Sequence, residues 1–92
     1  MSKLRDFDVA NYLDNKEIIA EYLTQILEDG DYDEFISAIG DIARTKGISS
    51  ISKDTNLNRE SLYKAFKKGS KPRFDTVLNV LNALDIKLVA VA

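Results

Sequence analysis

Residues 49–72 read SSISKDTNLNRESLYKAFKKGSKP, and this stretch gives the clearest indication of the fold. A short polar segment ends at Thr55 and Asn56, and a segment rich in Arg and Lys follows. Asn tolerates the left-handed backbone of a sharp turn, so Asn56 can turn the chain, with Leu57 as an apolar plug and Asn58 as the next N-cap. The stretch therefore predicts two short helices joined by a tight three-residue turn.

The second helix of this stretch has an apolar side and a polar side. Leu62, Ala65 and Phe66 recur at spacings of three and four, which places them together on the inward face. The side chains left outside are Arg59, Glu60, Ser61, Tyr63, Lys64 and Lys67. Long polar side chains in the first exposed turn are typical of the second helix of a helix-turn-helix.

The first helix supports the same interpretation. Ser49 is expected to be its N-cap, because the hydroxyl can accept a hydrogen bond from the unpaired amides of the first turn. Ser52 is small, which allows a second helix to approach closely. We therefore predict a helix-turn-helix over residues 49–67.

The charge of the chain is divided between segments of opposite sign. The formal net charge is −2, but residues 1–43 hold three basic and eleven acidic residues, net −8. Residues 44–73 hold nine basic and two acidic residues, net +7, and residues 74–92 hold one basic and two acidic, net −1. Charge runs are usually solvated surface. A basic block that coincides with a predicted helix-turn-helix instead indicates contact with a nucleic-acid backbone.

Apolar periodicity predicts further helices on both sides of this stretch. One stripe ends at Gly30, and a second opens at Asp31 or Tyr32 and ends at Gly47. A third follows the loop marked by Pro72. The three stripes are, in order, Ile18, Ile19, Tyr22, Leu23, Ile26 and Leu27; Phe35, Ile36, Ile39, Ile42 and Ala43; and Phe74, Val77, Leu78, Leu81 and Leu84.

The two ends of the chain give shorter patterns. DVANYL, residues 8–13, can form one helical turn with Asp8 as its cap, and KLVAVA, residues 87–92, has the apolar alternation of a short terminal strand. We expect one domain over residues 1–92, with residues 1–6 flexible. Its parts are acidic N-terminal helices over 7–46, the helix-turn-helix over 49–67, the last helix over 73–86 and the terminal strand over 87–92.

Composition excludes several classes of protein. The chain has no cysteine and no histidine, so disulfides, thiolate metal sites and the commonest general base are missing. No apolar run approaches the roughly eighteen residues of a membrane span, and the N-terminus lacks a secretory signal. Asp31 and Asp33 could serve acid–base chemistry or bind magnesium, but without a glycine-rich phosphate loop they are expected to cap a helix. We therefore expect a cytoplasmic protein that is not an enzyme, with no cofactor and no metal.

Residues 40–88, GDIARTKGISSISKDTNLNRESLYKAFKKGSKPRFDTVLNVLNALDIKL, resemble the antidote proteins (antitoxins) of type II toxin–antitoxin modules with a Cro/CI-type helix-turn-helix. The likeness extends over residues 7–90 and is most specific in GDIARTKG, NRESLYKA and PRFDTVLNVLNAL. It implies an all-α, compact five- or six-helix bundle of the lambda-repressor-like DNA-binding type, here with the short C-terminal β-strand. The family usually has Ala where this chain has Ser52 and Gly where it has Asn56, and both replacements are small or compatible with a turn.

The resemblance implies a function with two parts. Such proteins repress their own operon as dimers, and they neutralise a small RelE/ParE-like toxin. The alternative is a small phage-type or Cro-like transcriptional regulator with no toxin partner, and a small basic reading frame beside this one would favour the antitoxin. A third possibility is an interaction adaptor that kept the fold and lost DNA binding, which retained affinity for its own promoter would exclude.

DNA contacts can be assigned to the two helices and to the loop after them. Arg59 and Lys64 can reach guanine O6 and N7 in the major groove, and Glu60 can accept from a cytosine amino group or hold Arg59 in place. The base-reading set is Arg59, Glu60, Ser61 and Lys64, of which Ser61 is also a phosphate candidate. The phosphate set is Ser49, Ser50, Lys53, Lys67, Lys68, Lys71 and Arg73. The alternatives are solvated charges and, for Ser49 and Glu60, a role in capping or in the helix dipole.

Two further surfaces are predicted away from the DNA. Carboxylates suit a toxin with a basic surface, and the toxin-facing set is Glu17, Glu21, Glu28, Asp29, Asp31 and Asp33. The homodimer is expected to form by pairing of the terminal strand with its twin, which buries Leu88 with Val89 or Val91. The alternatives are ordinary surface charge for the acidic set and, for the strand, packing on its own bundle or fraying.

Overall fold

Five α-helices follow a short 3-10 helix in the computed structural model, which describes residues 9–12 and 14–92. The 3-10 helix is Val9–Tyr12, and the α-helices are α1 Lys16–Asp29, α2 Tyr32–Lys46, α3 Ile48–Thr55, α4 Arg59–Ala65 and α5 Phe74–Ala83. The expected all-α class is confirmed for the part of the chain that is described. None of these helices is long and apolar enough to cross a membrane.

The corner between α1 and α2 is built by caps at both helix ends. Asn15 opens α1 by accepting a hydrogen bond from the Ile18 amide at 3.1 Å. α1 ends at Gly30, whose φ of 78° is left-handed, a conformation that glycine adopts without steric cost. The next residue, Asp31, is the N-cap of α2 and accepts from the Glu34 amide at 3.0 Å. The capping role expected for Asp31 is therefore confirmed. The same role expected for Asp33 is wrong, because Asp33 lies within the first turn of α2, after the cap position.

The core lies where α2, α3 and α5 meet. Ile39 from α2, Ile51 from α3 and Val80 from α5 are wholly buried, and α1 packs against α2. The other buried apolar residues are Ile19, Tyr22, Leu23, Ile26, Phe35, Ala38, Ile42, Ala43, Leu62, Phe66, Val77, Leu81, Leu84 and Ile86. Since α3 contacts α2, α4 and α5, the first helix of the predicted helix-turn-helix is held in place by the core itself.

The apolar stripes predicted from periodicity supply most of this core. Ile18 and Leu78 are only half-buried and lie outside the buried cluster, and one residue of the stripes is exposed. Phe74 is 66% exposed, although the spacing placed it on the same face as Val77 and Leu81. It is the first residue of α5, and this end position leaves the ring beyond the packed part of the helix.

The C-terminal segment does not form the predicted strand over 87–92. α5 ends at Ala83, earlier than the expected end at residue 86, and Asp85 takes a left-handed φ of 60°. Ile86 is buried, and its amide donates to the Leu81 carbonyl at 2.9 Å. A strand needs a neighbouring strand to pair its backbone groups, and the part of the chain that is described contains none.

The N-terminal predictions are tested only in part. The helical turn expected within residues 8–13 is present as the 3-10 helix Val9–Tyr12. The proposed cap Asp8 and the flexible segment 1–6 lie outside the described residues.

Candidate nucleic-acid interface

The turn between α3 and α4 consists of Asn56, Leu57 and Asn58, as predicted. Asn56 has a left-handed φ of 64°, and its amide donates to the Ser52 carbonyl at 3.0 Å. Leu57 is half-buried against the core. The Ser52 hydroxyl donates to the Leu57 carbonyl at 2.5 Å, so this serine also ties the turn to the helix before it.

Two residues hold the same turn through hydrogen bonds that the sequence did not predict. Thr55 is buried, and its hydroxyl donates to the Ile51 carbonyl at 2.7 Å and accepts from the Leu57 amide at 3.3 Å. The Asn79 side chain, on α5, donates to the Thr55 carbonyl at 3.2 Å. A buried polar group without a partner is costly, and these bonds satisfy the groups exposed by the turn. The only available signal was that Asn79 is polar within the apolar pattern of α5.

α4 presents the polar face that the spacing predicted. Asn58 caps the helix by accepting from the Ser61 amide at 2.7 Å. Leu62 and Phe66 are buried and Ala65 is half-buried. The exposed side chains of α4 are Arg59, Glu60, Ser61, Tyr63 and Lys64. The four residues predicted to read bases therefore share one solvent-facing helix.

The C-terminal end of α4 packs closely against α2. A Cβ added at Gly40 would lie 2.9 Å from both the Cβ and the carbonyl oxygen of Phe66. Only glycine leaves room for the backbone of Phe66 at this distance from α2. Gly40 opens the GDIARTKG segment, but its spacing gave no indication of a contact with α4.

The loop after α4 carries exposed cations on a backbone that is itself hydrogen-bonded. The Ser70 hydroxyl donates to the Lys64 carbonyl at 2.8 Å, and the Ser70 amide donates to the Lys67 carbonyl at 3.0 Å. Gly69 has a φ of 85°, which is left-handed. Lys67 and Lys68 are exposed. Ser70 is a further residue that sequence reasoning missed, and it holds this loop against the C-terminal end of α4.

The cations predicted to contact DNA fall into two groups. Lys53, Arg59, Lys64, Lys67 and Lys68 make no ion pair within residues 9–12 and 14–92. Lys71 instead pairs with Asp33, Nζ to Oδ1 at 2.5 Å, and Arg73 pairs with Asp75 at 3.1 Å. The first group is therefore available to a phosphate without breaking an internal contact, and the second is not.

Ser49 and Ser50 lie in the first turn of α3 and are exposed. Ser49 is not the N-cap, which corrects the prediction: the cap position belongs to Gly47, and no side chain caps this helix. The reason is that α3 begins at Ile48, one residue before the serine. The hydroxyls of both serines and the uncapped amino end of α3 are therefore open to solvent.

The acidic residues predicted to face a toxin are divided between a helix and a corner. Glu17, Glu21, Glu28 and Asp29 are exposed on α1. Asp31 caps α2, and Asp33 pairs with Lys71, so acidic and basic residues meet at the start of α2. No cluster that could hold a metal ion occurs among the side chains that the structure describes.

The C-terminal segment leaves apolar side chains in solvent. Leu88, Val89 and Val91 are 40%, 72% and 90% exposed. Asp85 lies just before these residues in the chain, and its carboxylate accepts a hydrogen bond from Lys16 of α1. This hydrogen bond, with the attraction between the charges, lowers the pKa of Asp85 and raises the pKa of Lys16.

Comparison with known proteins adds a family and a relative. The family described as "Probable addiction module antidote protein" matches residues 3–92. An uncharacterized protein from Haemophilus influenzae (strain ATCC 51907 / DSM 11121 / KW20 / Rd) is 42% identical over 85 residues, which is 92% of this chain and 88% of the relative. No solved structure matches.

Proposed function

We propose, because this chain belongs to the family of probable addiction module antidote proteins, that it is a DNA-binding antitoxin of the Cro/CI helix-turn-helix type. In this proposal it neutralises a RelE/ParE-like toxin in the cytoplasm and represses its own operon as a homodimer. The observation that carries the DNA-binding part is the set of cations on α4 and on the loop after it that make no ion pair with any residue the structure describes. The family membership supports the toxin partner.

The geometry of α3 and α4 supports a docking mode. α4 enters the major groove with its exposed face toward the bases, and α3 crosses the backbone with its amino end near a phosphate. Arg59 and Lys64 then face guanine acceptors, while Lys53, Lys67 and Lys68 approach phosphates. The turn between α3 and α4 is held by Thr55 and by the contacts around it. α4 therefore loses little conformational entropy when it enters the groove.

An acidic net charge does not oppose this mode. Charges screened beyond roughly 8–10 Å contribute little at physiological salt, so the local charge at the contact decides binding. The segment over 44–73 carries +7 while the chain as a whole carries −2. The exposed carboxylates of α1 belong to a helix that packs on α2, and they are the surface proposed for a basic toxin.

A homodimer is part of the proposal because two recognition helices reach successive major grooves, about one helical turn apart, only when they belong to a pair. The exposed apolar side chains of Leu88, Val89 and Val91 supply a surface that such a pair would bury. Their backbone can form a strand when a second copy provides the partner that a single chain lacks.

The DNA-binding part is tested with duplex DNA from the chain's own promoter, compared with random duplex at several salt concentrations. Arg59→Ala should cost about 1–3 kcal/mol on the promoter and blur the preference at one base pair. Replacing Lys67 and Lys68 by Ala should weaken binding to all sequences alike and flatten the salt slope by about one unit per contact. Gln25→Glu on α1 lowers the net charge by one, as Arg59→Ala does, so it is the control matched to that variant and should change neither the base-pair preference nor the salt slope.

Several outcomes would contradict this part. Equal losses on promoter and random DNA for Arg59→Ala would exclude base reading by Arg59. An unchanged salt slope would remove Lys67 and Lys68 from the interface. A wild-type chain without affinity for its promoter would exclude autoregulation and favour an interaction protein.

The toxin part is tested by co-expression with the product of the neighbouring reading frame. Co-purification of the two proteins, together with restored growth of cells that express the neighbour, is the expected result. A chain that binds its promoter but neither retains nor neutralises the neighbour would be a transcriptional regulator without a toxin partner.

A further inference from the structure

Tyr63 is the one aromatic side chain of α4, and it faces solvent. Tyr63 is 44% exposed, whereas the neighbouring residues Leu62 and Phe66 are buried. Full burial of an aromatic ring is strongly favourable, yet the fold leaves this ring on the face that carries Arg59 and Lys64. The exposed face of α4 therefore holds an apolar group among its cations.

The chemistry of the major groove limits what such a ring can recognise. Base edges there present hydrogen-bond donors and acceptors together with one apolar group, the C5-methyl of thymine. A tyrosine ring cannot satisfy the donors and acceptors, but it can exclude water from a methyl group. The hydroxyl at its tip can remain in water or reach a phosphate.

We propose that Tyr63 is a specificity-determining residue that recognises the methyl group of a thymine in the operator. The proposal rests on the proposed function, since it requires α4 to lie in the major groove. Arg59 and Tyr63 are four residues apart on one helix, so their Cβ atoms are about 5–6 Å apart. Base pairs rise about 3.4 Å per step along the duplex axis, which places the thymine one or two steps from the base pair that Arg59 reads.

The support beneath α4 makes this contact selective. Asn58 caps the start of the helix at 2.7 Å, and Ser70 binds the carbonyl of Lys64, the residue after Tyr63, at 2.8 Å. Phe66 is packed against Gly40 at the end of the helix. A tyrosine has two side-chain torsions and loses little conformational entropy when it is ordered. A ring on a backbone held in this way can discriminate a single methyl group.

The experiment first selects tight-binding duplexes from a random-sequence pool with the full-length protein. Each thymine of the selected sequence is then replaced, one at a time, by uracil, which removes the methyl group and leaves every hydrogen-bonding group in place. Loss of contact with one methyl group should weaken wild-type binding about three- to five-fold at one position of each half-site. Uracil at the other thymines should have little effect.

Variants assign the effect to the residue. Tyr63→Ala should bind the thymine and uracil duplexes equally, while Tyr63→Phe should keep the preference for thymine. Circular dichroism checks that both variants are folded, and the uracil scan of the wild-type protein tests the methyl contact even if Tyr63→Ala unfolds.

The results that overturn the inference differ from those that overturn the proposed function. Wild-type protein that binds a selected duplex in an Arg59-dependent way, but ignores every uracil substitution, leaves the function standing and removes the methyl contact. A methyl preference that survives in folded Tyr63→Ala assigns the contact to another residue. Failure of the wild-type protein to select any sequence overturns DNA recognition and the role of Tyr63 together.

Discussion

The Nζ atom of Lys71 lies 2.5 Å from Oδ1 of Asp33, and this ion pair joins the basic loop after α4 to the first turn of α2. The side chains are 78% and 50% exposed, and an exposed pair of this kind contributes about 0–1 kcal/mol to stability. A phosphate can therefore compete for Lys71. In the proposed complex of the wild-type protein, Asp33 opposes DNA binding because its carboxylate holds Lys71 away from the phosphates.

Asp33→Asn should release Lys71 for DNA. The expected result is an affinity for duplex DNA raised by up to about five-fold and a salt slope steeper by about one unit, since one more phosphate contact forms. Filter binding or fluorescence anisotropy at several salt concentrations measures both quantities. Glu28→Gln removes the same charge from an exposed position on α1 that has no ion pair among the described side chains, and it is the matched control.

An equal gain for Asp33→Asn and Glu28→Gln would show that net charge alone changed the affinity. A slope that does not change in Asp33→Asn would mean that Lys71 makes no phosphate contact. The double variant Asp33→Asn/Lys71→Met should lose the gain.

Local patterns were sufficient to predict the helices and the turn. The stripe ending at Gly30 and the cap at Asn58 depend on residues within a few positions of one another, and such interactions are encoded by spacing and side-chain type. The exposed face of α4 followed from the same reasoning. These features could be predicted because tertiary packing agrees with local preference.

Contacts between distant segments could not be predicted in this way. The hydrogen bond from Asn79 to Thr55 joins residues 24 positions apart, and the pair of Lys71 with Asp33 spans 38 positions. Nothing in the spacing of either segment encodes the other. For that reason, Lys71 was predicted as a free phosphate ligand, and the polar bonds that hold the turn were not predicted. The pair of Arg73 with Asp75 spans only two positions, so distance along the chain does not explain why it was not predicted.

Gly40→Ala should destabilise the fold although alanine is the better helix former. The added Cβ would meet the Cβ and the carbonyl of Phe66 at 2.9 Å, and overpacking of this kind costs about 1–3 kcal/mol. The gain in helix propensity is about 1 kcal/mol, so the net loss should be up to about 2 kcal/mol in urea denaturation. Because Phe66 ends α4, operator affinity should fall as well.

Ser37→Ala on the same helix is the control, since it raises propensity without adding atoms near α4, and it should not destabilise the protein. A Gly40→Ala protein as stable as the wild type would show that moving α4 away from α2 costs no more than the gain in helix propensity of about 1 kcal/mol.

The Lys16–Asp85 pair predicts a pH dependence of stability. The hydrogen bond from Lys16, followed by the charge attraction, lowers the pKa of Asp85 below its ordinary 3.8. The contribution of Asp85 is therefore present above pH 3.8 and is lost as the pH falls through the lowered value. The pKa of Lys16 is raised above 10.5, so its contribution is present below pH 10.5 and is lost as the pH rises through the raised value.

Asp85→Asn is the variant for this measurement, because Asn also tolerates the left-handed φ of 60° at this position. Its urea midpoint should lie below that of the wild type at pH 7, and the two should converge as the pH falls well below 3.8. A difference of the same size at both pH values would mean that the carboxylate charge is not the cause.

Deletion of residues 88–92 should separate dimerisation from folding. These residues are all exposed, while Ile86, the last buried residue of the chain, is retained. Because no buried side chain is removed, the helical content and the urea midpoint should stay close to those of the full chain. The truncated protein should sediment as a monomer and lose far more operator affinity than toxin affinity, since a monomer reads one half-site.

The full-length double variant Val89→Asp/Val91→Asp should behave in the same way, because two charges oppose burial of this segment. A truncated protein that stays dimeric and binds its operator normally would place the dimer interface elsewhere on the helical bundle.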